Sequence, residues 1–431
     1  GAFDSLPRAG LTTETARFNV NRLLELENDT DDTTDPYTAV SFIPNMSEDI
    51  CNAILDWIDS DEEARAGGAE SSTYEALAVP YSARNAPMQS IDELLQVQGV
   101  TPQLFYGEDA NRNGQLDPNE DDGGESAPAD DQDGALDFGL RDYLTVSSRE
   151  RNIQTTGEQK ININNGIVAE MFDALEESFD TETATFVTGY RLTGDQQADA
   201  QAQGKLTIEQ QQLVDWMAKN LANGELGKVT RGGMDLSNPP QASFRSMYDL
   251  IDAQVSVTVN GAAQTLNSPW SSTDPAGLME QMLLLEEKLT WLNDEFIDGR
   301  INVNIAPREV LLAIPDMTET IADAILGARP PAGENSVQAA QVMSLRRSPV
   351  WLLTEGLVDV PTFKRLGPWL TTTGDVYSFQ VLGHFDQGGP TTRLEAMVDG
   401  TKKPPRIVFQ RDLTGLGRGF APAVLDGVID E

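Results

Sequence analysis

Hydrophobic positions recur at helical spacing in three separate stretches, and the same short polar signature introduces each of them. Phe18-Asn19-Val20-Asn21, Ile161-Asn162-Ile163-Asn164 and Ile301-Asn302-Val303-Asn304 precede the apolar runs LLEL, IVAEMFDALEESF and REVLLAI. A second helical stretch follows in each case: CNAILDWID, TATFVTGYR and ETIADAILGAR. A Ser-initiated one comes later, at Ser90, Ser246 and Ser348. The pattern predicts three helical units of variable length. In each, the asparagines satisfy backbone groups at a strand-to-helix transition while the alternate apolar residues pack inward. Coincidental turn asparagines are the plainer alternative. Beyond these units, alternating segments at 376 to 386, 391 to 399 and 406 to 414 read as strands. Residues 254 to 267 read as a hairpin turning at Asn260-Gly261, and residues 196 to 225 carry a long amphipathic helical pattern with Leu213, Val214 and Met217 on its apolar face.

Residues 54 to 100 carry the most specific order of motifs. Ile54, Leu55 and Ile58, with Trp57 between, form an apolar helix that ends in Asp59, Asp61, Glu62 and Glu63. Gly67 and Gly68 break the chain, Glu70 returns a carboxylate, Pro80 and Pro87 punctuate a loop, and Ser90 with Glu93 spells a capping box. This block, followed by LRDYLTV at 140 to 146, INVNIAPREVLLAIP at 301 to 315 and the closing strands, resembles the minor pseudopilin K family of type II secretion systems. Two insertions, at about 107 to 139 and 165 to 300, depart from the family pattern.

The chain has 431 residues, 39% of them hydrophobic, enough for several modest cores. Thirty basic against 69 acidic residues give a net charge of −39, which repels phosphate backbones and anionic lipid alike and makes cations the natural partner. No nucleic-acid partner is expected. The single cysteine, Cys51, reads as a small buried hydrophobe. No run of about 18 apolar residues is present. Family members begin with a hydrophobic anchoring helix, so the resemblance implies a periplasmic ectodomain whose anchor lies in the inner membrane and outside this sequence.

Residues 109 to 120, DANRNGQLDPNE, match the calcium-binding EF-hand loop at every ligand position. Asp109, Asn111 and Asn113 stand at positions 1, 3 and 5, Gly114 at 6, the Gln115 carbonyl at 7, Asp117 at 9 and Glu120 at 12. A partial copy follows, with Asp131, Asp133, Gly134 and Asp137 at positions 3, 5, 6 and 9. Its ends fail: Ala129 and Leu140 occupy positions 1 and 12, so a complete site must borrow Asp121, Asp122, Glu125 or Asp130. Twelve carboxylates face two arginines across residues 108 to 142, and without cations the insertion would repel itself. The resemblance implies a further calcium site near Asp59, Asp61 and Glu70, with a solvated acidic turn as the alternative.

Catalytic signatures are missing from the sequence: no P-loop, no GxGxxG opening a helix, no HExxH, and one histidine, His384, on a strand pattern. The sequence therefore predicts a non-enzymatic α+β protein. A small pseudopilin-like core, residues 1 to 20 and 373 to 431, would combine an N-terminal helix with an antiparallel C-terminal sheet. It would carry a helical head of SAM-like or helix-hairpin-helix units at 21 to 160, 161 to 300 and 301 to 372. The resemblance implies a place at the pseudopilus tip, other minor pseudopilins as partners, and contact with exported substrate. A calcium-dependent binding or adhesion protein on a pilus-like filament is the alternative.

Overall fold

The computed structural model describes residues 11 to 28, 35 to 196, 229 to 237, 239 to 330, 337 to 385 and 389 to 420, with a few positions between 206 and 219. Most of the amphipathic segment at 196 to 225, including Leu213 and Met217, lies outside the described residues. The chain divides into two compact units. Unit 1 comprises residues 1 to 150, 298 to 345 and 369 to 431, and unit 2 comprises 151 to 297 and 346 to 368. Helices and mostly antiparallel sheets make the protein α+β.

Each Asn-x-Asn signature forms the same local structure. The first asparagine accepts the backbone N–H two residues on: Asn21 to Asn19 at 3.1 Å, Asn164 to Asn162 at 2.7 Å and Asn304 to Asn302 at 3.0 Å. Each signature also pairs in parallel with a distant Leu-Thr dipeptide. Phe18-Asn19 pairs with Leu144-Thr145, Ile161-Asn162 with Leu289-Thr290, and Ile301-Asn302 with Leu370-Thr371. A Leu-Thr step thus closes every unit the signature opens. In the first two units the second asparagine clasps a backbone stretch just before the serine. Asn21 exchanges two hydrogen bonds with Met88, and Asn164 does the same with Phe244. Ser90 and Ser246 then complete capping boxes with Glu93 and Asp249, which satisfy helix N–H groups that would otherwise be orphaned.

Unit 1 carries the C-terminal sheet, a four-stranded antiparallel meander of β1 (Thr12–Thr13), β2 (Val376–Gly383), β3 (Thr392–Asp399) and β4 (Arg406–Asp412). Val381 stands opposite Leu394, and a bulge between Met397 and Val398 shifts the register against β4. In unit 2, Gln254–Val259 and Ala262–Asn267 form a hairpin whose turn holds Asn260 and Gly261 at φ of 51° and 80°, the left-handed conformations a two-residue turn requires. The helix Thr181–Thr193 packs on this hairpin with Gly189 against Val255 and Val257, where a larger residue would collide.

Candidate metal centres

The helix Glu48–Ile58 starts at a Ser47 cap and is buried along almost its whole C-terminal half, from Ala53 to Ile58. Asp56 lies within that apolar run and is completely buried. Asp59 caps the helix three residues later, on the same face. The chain then loops back over Asp56. Gly68 makes this return possible, because a Cβ at that position would collide with the Asp56 carboxylate. Glu70 arrives beside the two aspartates, and one carboxylate oxygen from each of Asp56, Asp59 and Glu70 lies within 4.8 Å of the others. Trp57, Tyr74 and Tyr81 wall the block, with Trp57 edge-on to Tyr74 at 5.2 Å and Tyr74 stacked on Tyr81 at 5.2 Å.

Asp61, which the family resemblance placed among the ligands, is exposed and accepts the backbone N–H of Glu63 at 2.8 Å. Asp56 takes the third place in the cluster. An aspartate embedded in the helical run ILDWI was the available signal, and it was not singled out as a ligand.

Three buried carboxylates in contact require compensation. Arg65 supplies part of it, reaching Asp56 at 2.6 Å and Asp59 at 2.5 Å while Glu27 holds its other edge at 2.7 Å. Burial works against the Arg65 charge, yet the bonds to Glu27, Asp59 and Asp56 raise its pKa. Glu70 receives no such help. It is 2% exposed, and neither of its oxygens has a hydrogen-bond partner. Desolvation first, then the charges of Asp56 and Asp59, push it from the ordinary glutamate value of 4.5 to about 7.

The contiguous loop 109 to 120 has a different construction. Asp109 accepts the N–H groups of Asn113 at 3.0 Å and Gly114 at 2.8 Å, and Asn113 accepts that of Gln115 at 2.7 Å. Glu120 folds back to accept from Ala110 at 2.9 Å and Asp117 at 3.0 Å. The Asp117 carboxylate in turn accepts the side-chain amides of Asn111 at 2.5 Å and Asn113 at 2.9 Å. Arg112 and Gly114 adopt φ of 63° and 69° to make the turn. The Asn111 side-chain oxygen is buried without a partner. Burial raises the pKa values of Asp109 and Glu120, against the backbone bonds that lower them.

The second loop repeats this hydrogen-bond pattern with borrowed ends. Gln132 and Gly134 take φ of 58° and 78°, as Arg112 and Gly114 do. Asp131 and Asp133 accept the N–H groups of Asp133 and Ala135 at 3.1 and 2.8 Å. The Gly134 N–H goes to Asp121 at 3.2 Å, the role Asp109 plays for Gly114. The Asp137 N–H goes to Glu108 at 3.1 Å, the role Glu120 plays for Asp117. Asp121 and Glu108 therefore stand where Ala129 and Leu140 fall in sequence.

The one histidine, His384, sits just past the end of β2 with its Nδ1 3.4 Å from Arg418, and no serine or cysteine nucleophile is bonded to it among the described residues.

A family model described as type II secretion system protein K, first domain, matches residues 16 to 106. A 98-residue stretch is 37% identical to the type II secretion system protein K of Pectobacterium carotovorum subsp. carotovorum, covering 20% of this chain and 30% of that protein. Among solved structures, the chain aligns at 11% identity with a chain of the GspK-GspI-GspJ complex from the type 2 secretion system of enterotoxigenic Escherichia coli. That alignment has a TM-score of 0.34 and covers 95% of this chain and 82% of the other. The matched segment contains the helix Glu48–Ile58, the glycine return and the Asp56, Asp59 and Glu70 cluster, and the chain spans less than a third of the length of the protein K it matches.

Proposed function

We propose that this chain is the periplasmic part of a minor pseudopilin that caps a type II secretion pseudopilus and acts mechanically, without catalysis. The observation that carries this reading is the match of residues 16 to 106 to protein K. The solved relative is named in a complex with GspI and GspJ, and the corresponding small pseudopilins of its own system are the partners proposed for this chain. The three Asn-x-Asn units would form a SAM-like head, and the C-terminal sheet would be the pseudopilin core. Among the described residues no helix is long and apolar enough to cross a membrane, so anchoring is assigned to a segment outside those residues. Co-expression should recover this chain with the two partner pseudopilins at one to one to one. Gold label on this chain should mark filament ends only; label along the shaft, or full secretion in a deletion strain, would remove the tip role.

Calcium is the proposed cofactor. Six to eight oxygens suit this ion, and the loop 109 to 120 offers them from Asp109, Asn111, Asn113, the Gln115 carbonyl, Asp117 and both oxygens of Glu120. A second ion would lie on Asp56, Asp59 and Glu70, neutralising the Glu70 carboxylate that protein groups leave without a partner. A third would lie on Asp131, Asp133 and Asp137, with Asp121 and Glu108 closing the set. Equilibrium dialysis against calcium should give three ions per chain, and the loss of one on Asp109→Ala with Glu120→Ala.

A further inference from the structure

The calcium loop is bonded to the C-terminal sheet through the same residues that would hold the ion. The Gln380 side chain on β2 donates to the Arg112 carbonyl at 2.6 Å. Arg393 on β3 donates to the Asn111 carbonyl, and the Asn113 amide donates to the carbonyl of Gly419 beyond β4. Positions 3, 4 and 5 of the loop thus face two ways. The Asn111 side chain turns inward to Asp117, the Asn113 amide reaches both Asp117 and Gly419, and the carbonyls of Asn111 and Arg112 turn outward to the sheet. Arg393 depends on this arrangement: it is wholly buried, and its Nε and Nη1 have no acceptor, which leaves the Asn111 carbonyl as the acceptor for its guanidinium. Losing that bond would leave a buried cation with no hydrogen bond.

We propose that calcium in the 109 to 120 loop acts as a clasp that holds the C-terminal sheet of unit 1 in place, so that the ion sets the order of the sheet and of the loop together. This rests on the calcium reading of the loop. Without the ion, the charges of Asp109 and Asp117 repel that of Glu120 across the loop, and Arg112 must hold a left-handed conformation that favours few residues. The turn then relaxes, and the outward carbonyls leave Gln380 and Arg393. With the ion, the inward oxygens are fixed and the outward carbonyls with them. Sheet order and calcium affinity are therefore linked, each strengthening the other by the same factor. The remaining contacts between the sheet and the helical part of unit 1, such as Arg141 to Glu395 at 2.5 Å, do not involve the loop and stay in both states.

Hydrogen exchange on the intact chain, paired with terbium luminescence, tests the clasp. Terbium should bind the wild type, and Glu120→Gln should remove the part of the signal that belongs to this loop. In the wild type, amides of β2 and β3 should exchange at least tenfold faster in chelator than in calcium. In Glu120→Gln they should exchange at the fast rate in both conditions. Gln380→Leu should keep terbium binding at the loop while shrinking the calcium effect on the sheet. Equal exchange of β2 and β3 with calcium and with chelator, in a wild type that binds terbium at this loop, overturns the clasp and leaves the calcium site standing. A terbium signal that Glu120→Gln does not change overturns the site and the clasp with it.

Discussion

Two groups of carboxylates, a few tens of residues apart in sequence, solve the same electrostatic problem in opposite ways. The loop 109 to 120 takes all its inward side chains from one unbroken stretch, and its own N–H groups orient them. The cluster of Asp56, Asp59 and Glu70 is assembled from a helix end and a returning loop, and it needs Gly68, Arg65 and an aromatic wall to exist. Folding of the cluster is part of the folding of its domain, whereas the loop is an insertion that can lose order, with the sheet it is bonded to, while the helical part stays folded. Damage should therefore be global at the cluster and confined to the loop and the sheet at the insertion.

The largest effect expected is from Asp56→Ala. It removes a fully buried carboxylate and strands Arg65 among the remaining groups, so stability should fall by about 3 to 5 kcal/mol even in chelator. Urea unfolding followed by tryptophan fluorescence would report it through Trp57, which sits beside the cluster. A loss below about 1 kcal/mol would mean that Arg65 is satisfied elsewhere and that the cluster is not structural.

Asp109→Ala with Glu120→Ala should behave differently. Its stability in chelator should match the wild type, and only the calcium-dependent gain should shrink. A site held at a hundred times its Kd contributes about 2.7 kcal/mol, and this is the amount at stake. If the double variant unfolds in chelator as the wild type does not, the loop is a folding element and the contrast with the cluster collapses.

The same contrast explains what the sequence disclosed. A turn whose carboxylates, glycine and hydrogen bonds are all local is written within twelve consecutive residues, and the shape of the 109 to 120 loop was legible there. Its neighbour was legible only in part, because Glu108 and Asp121 reach positions 12 and 1 from outside the repeat. Asp56 was hidden in a helical run whose period marks it as one polar residue among apolar ones, and only the return at Gly68 reveals that it is covered. The Asn-x-Asn openings were visible as a repeat, but their partners were not. A two-residue Leu-Thr strand has no periodicity of its own, and Leu144, Leu289 and Leu370 lie between 69 and 128 residues from the asparagine strands they pair with. The long strands and the hairpin at 254 to 267 were readable because alternation and the Asn-Gly turn are local signals.

Acidity offers a finer cut between the two sites. In the metal-free protein Glu70 keeps its proton up to about 7, whereas in the unfolded chain it loses it near 4.5. Between these values the folded state binds more protons, so the stability of the metal-free protein falls as pH rises through the window and is fully present only below it. The expected loss is on the order of 3 kcal/mol. Calcium needs the deprotonated carboxylate, so its binding at the cluster should tighten over the same range. Glu70→Gln should flatten the stability profile in chelator. A profile that instead rises between pH 4.5 and 7 in the wild type but not in Glu70→Gln would mean that Glu70 is ionised and paired in the folded state.

The smallest effect expected is at Asp61, and it decides whether the cluster is the trio seen here or the one the family resemblance implied. Asp61 is exposed, and its carboxylate is already engaged by the Glu63 backbone N–H. Its carbonyl accepts from Asn85 at 3.1 Å, a bond that depends on the backbone and survives any side-chain change. Asp61→Asn preserves an oxygen for the Glu63 N–H and removes one charge from the rim. Stability should change by less than about 0.5 kcal/mol. Calcium affinity at the cluster should drop by no more than about threefold, the share expected from a screened charge several ångströms away. Calorimetric titration in the Asp109→Ala, Glu120→Ala background removes the heat of that loop. A drop of tenfold or more there would place Asp61 on the ion and require the chain after Asp59 to rearrange when calcium arrives. An unchanged affinity, set beside its loss in Glu70→Gln, would fix the ligands as Asp56, Asp59 and Glu70.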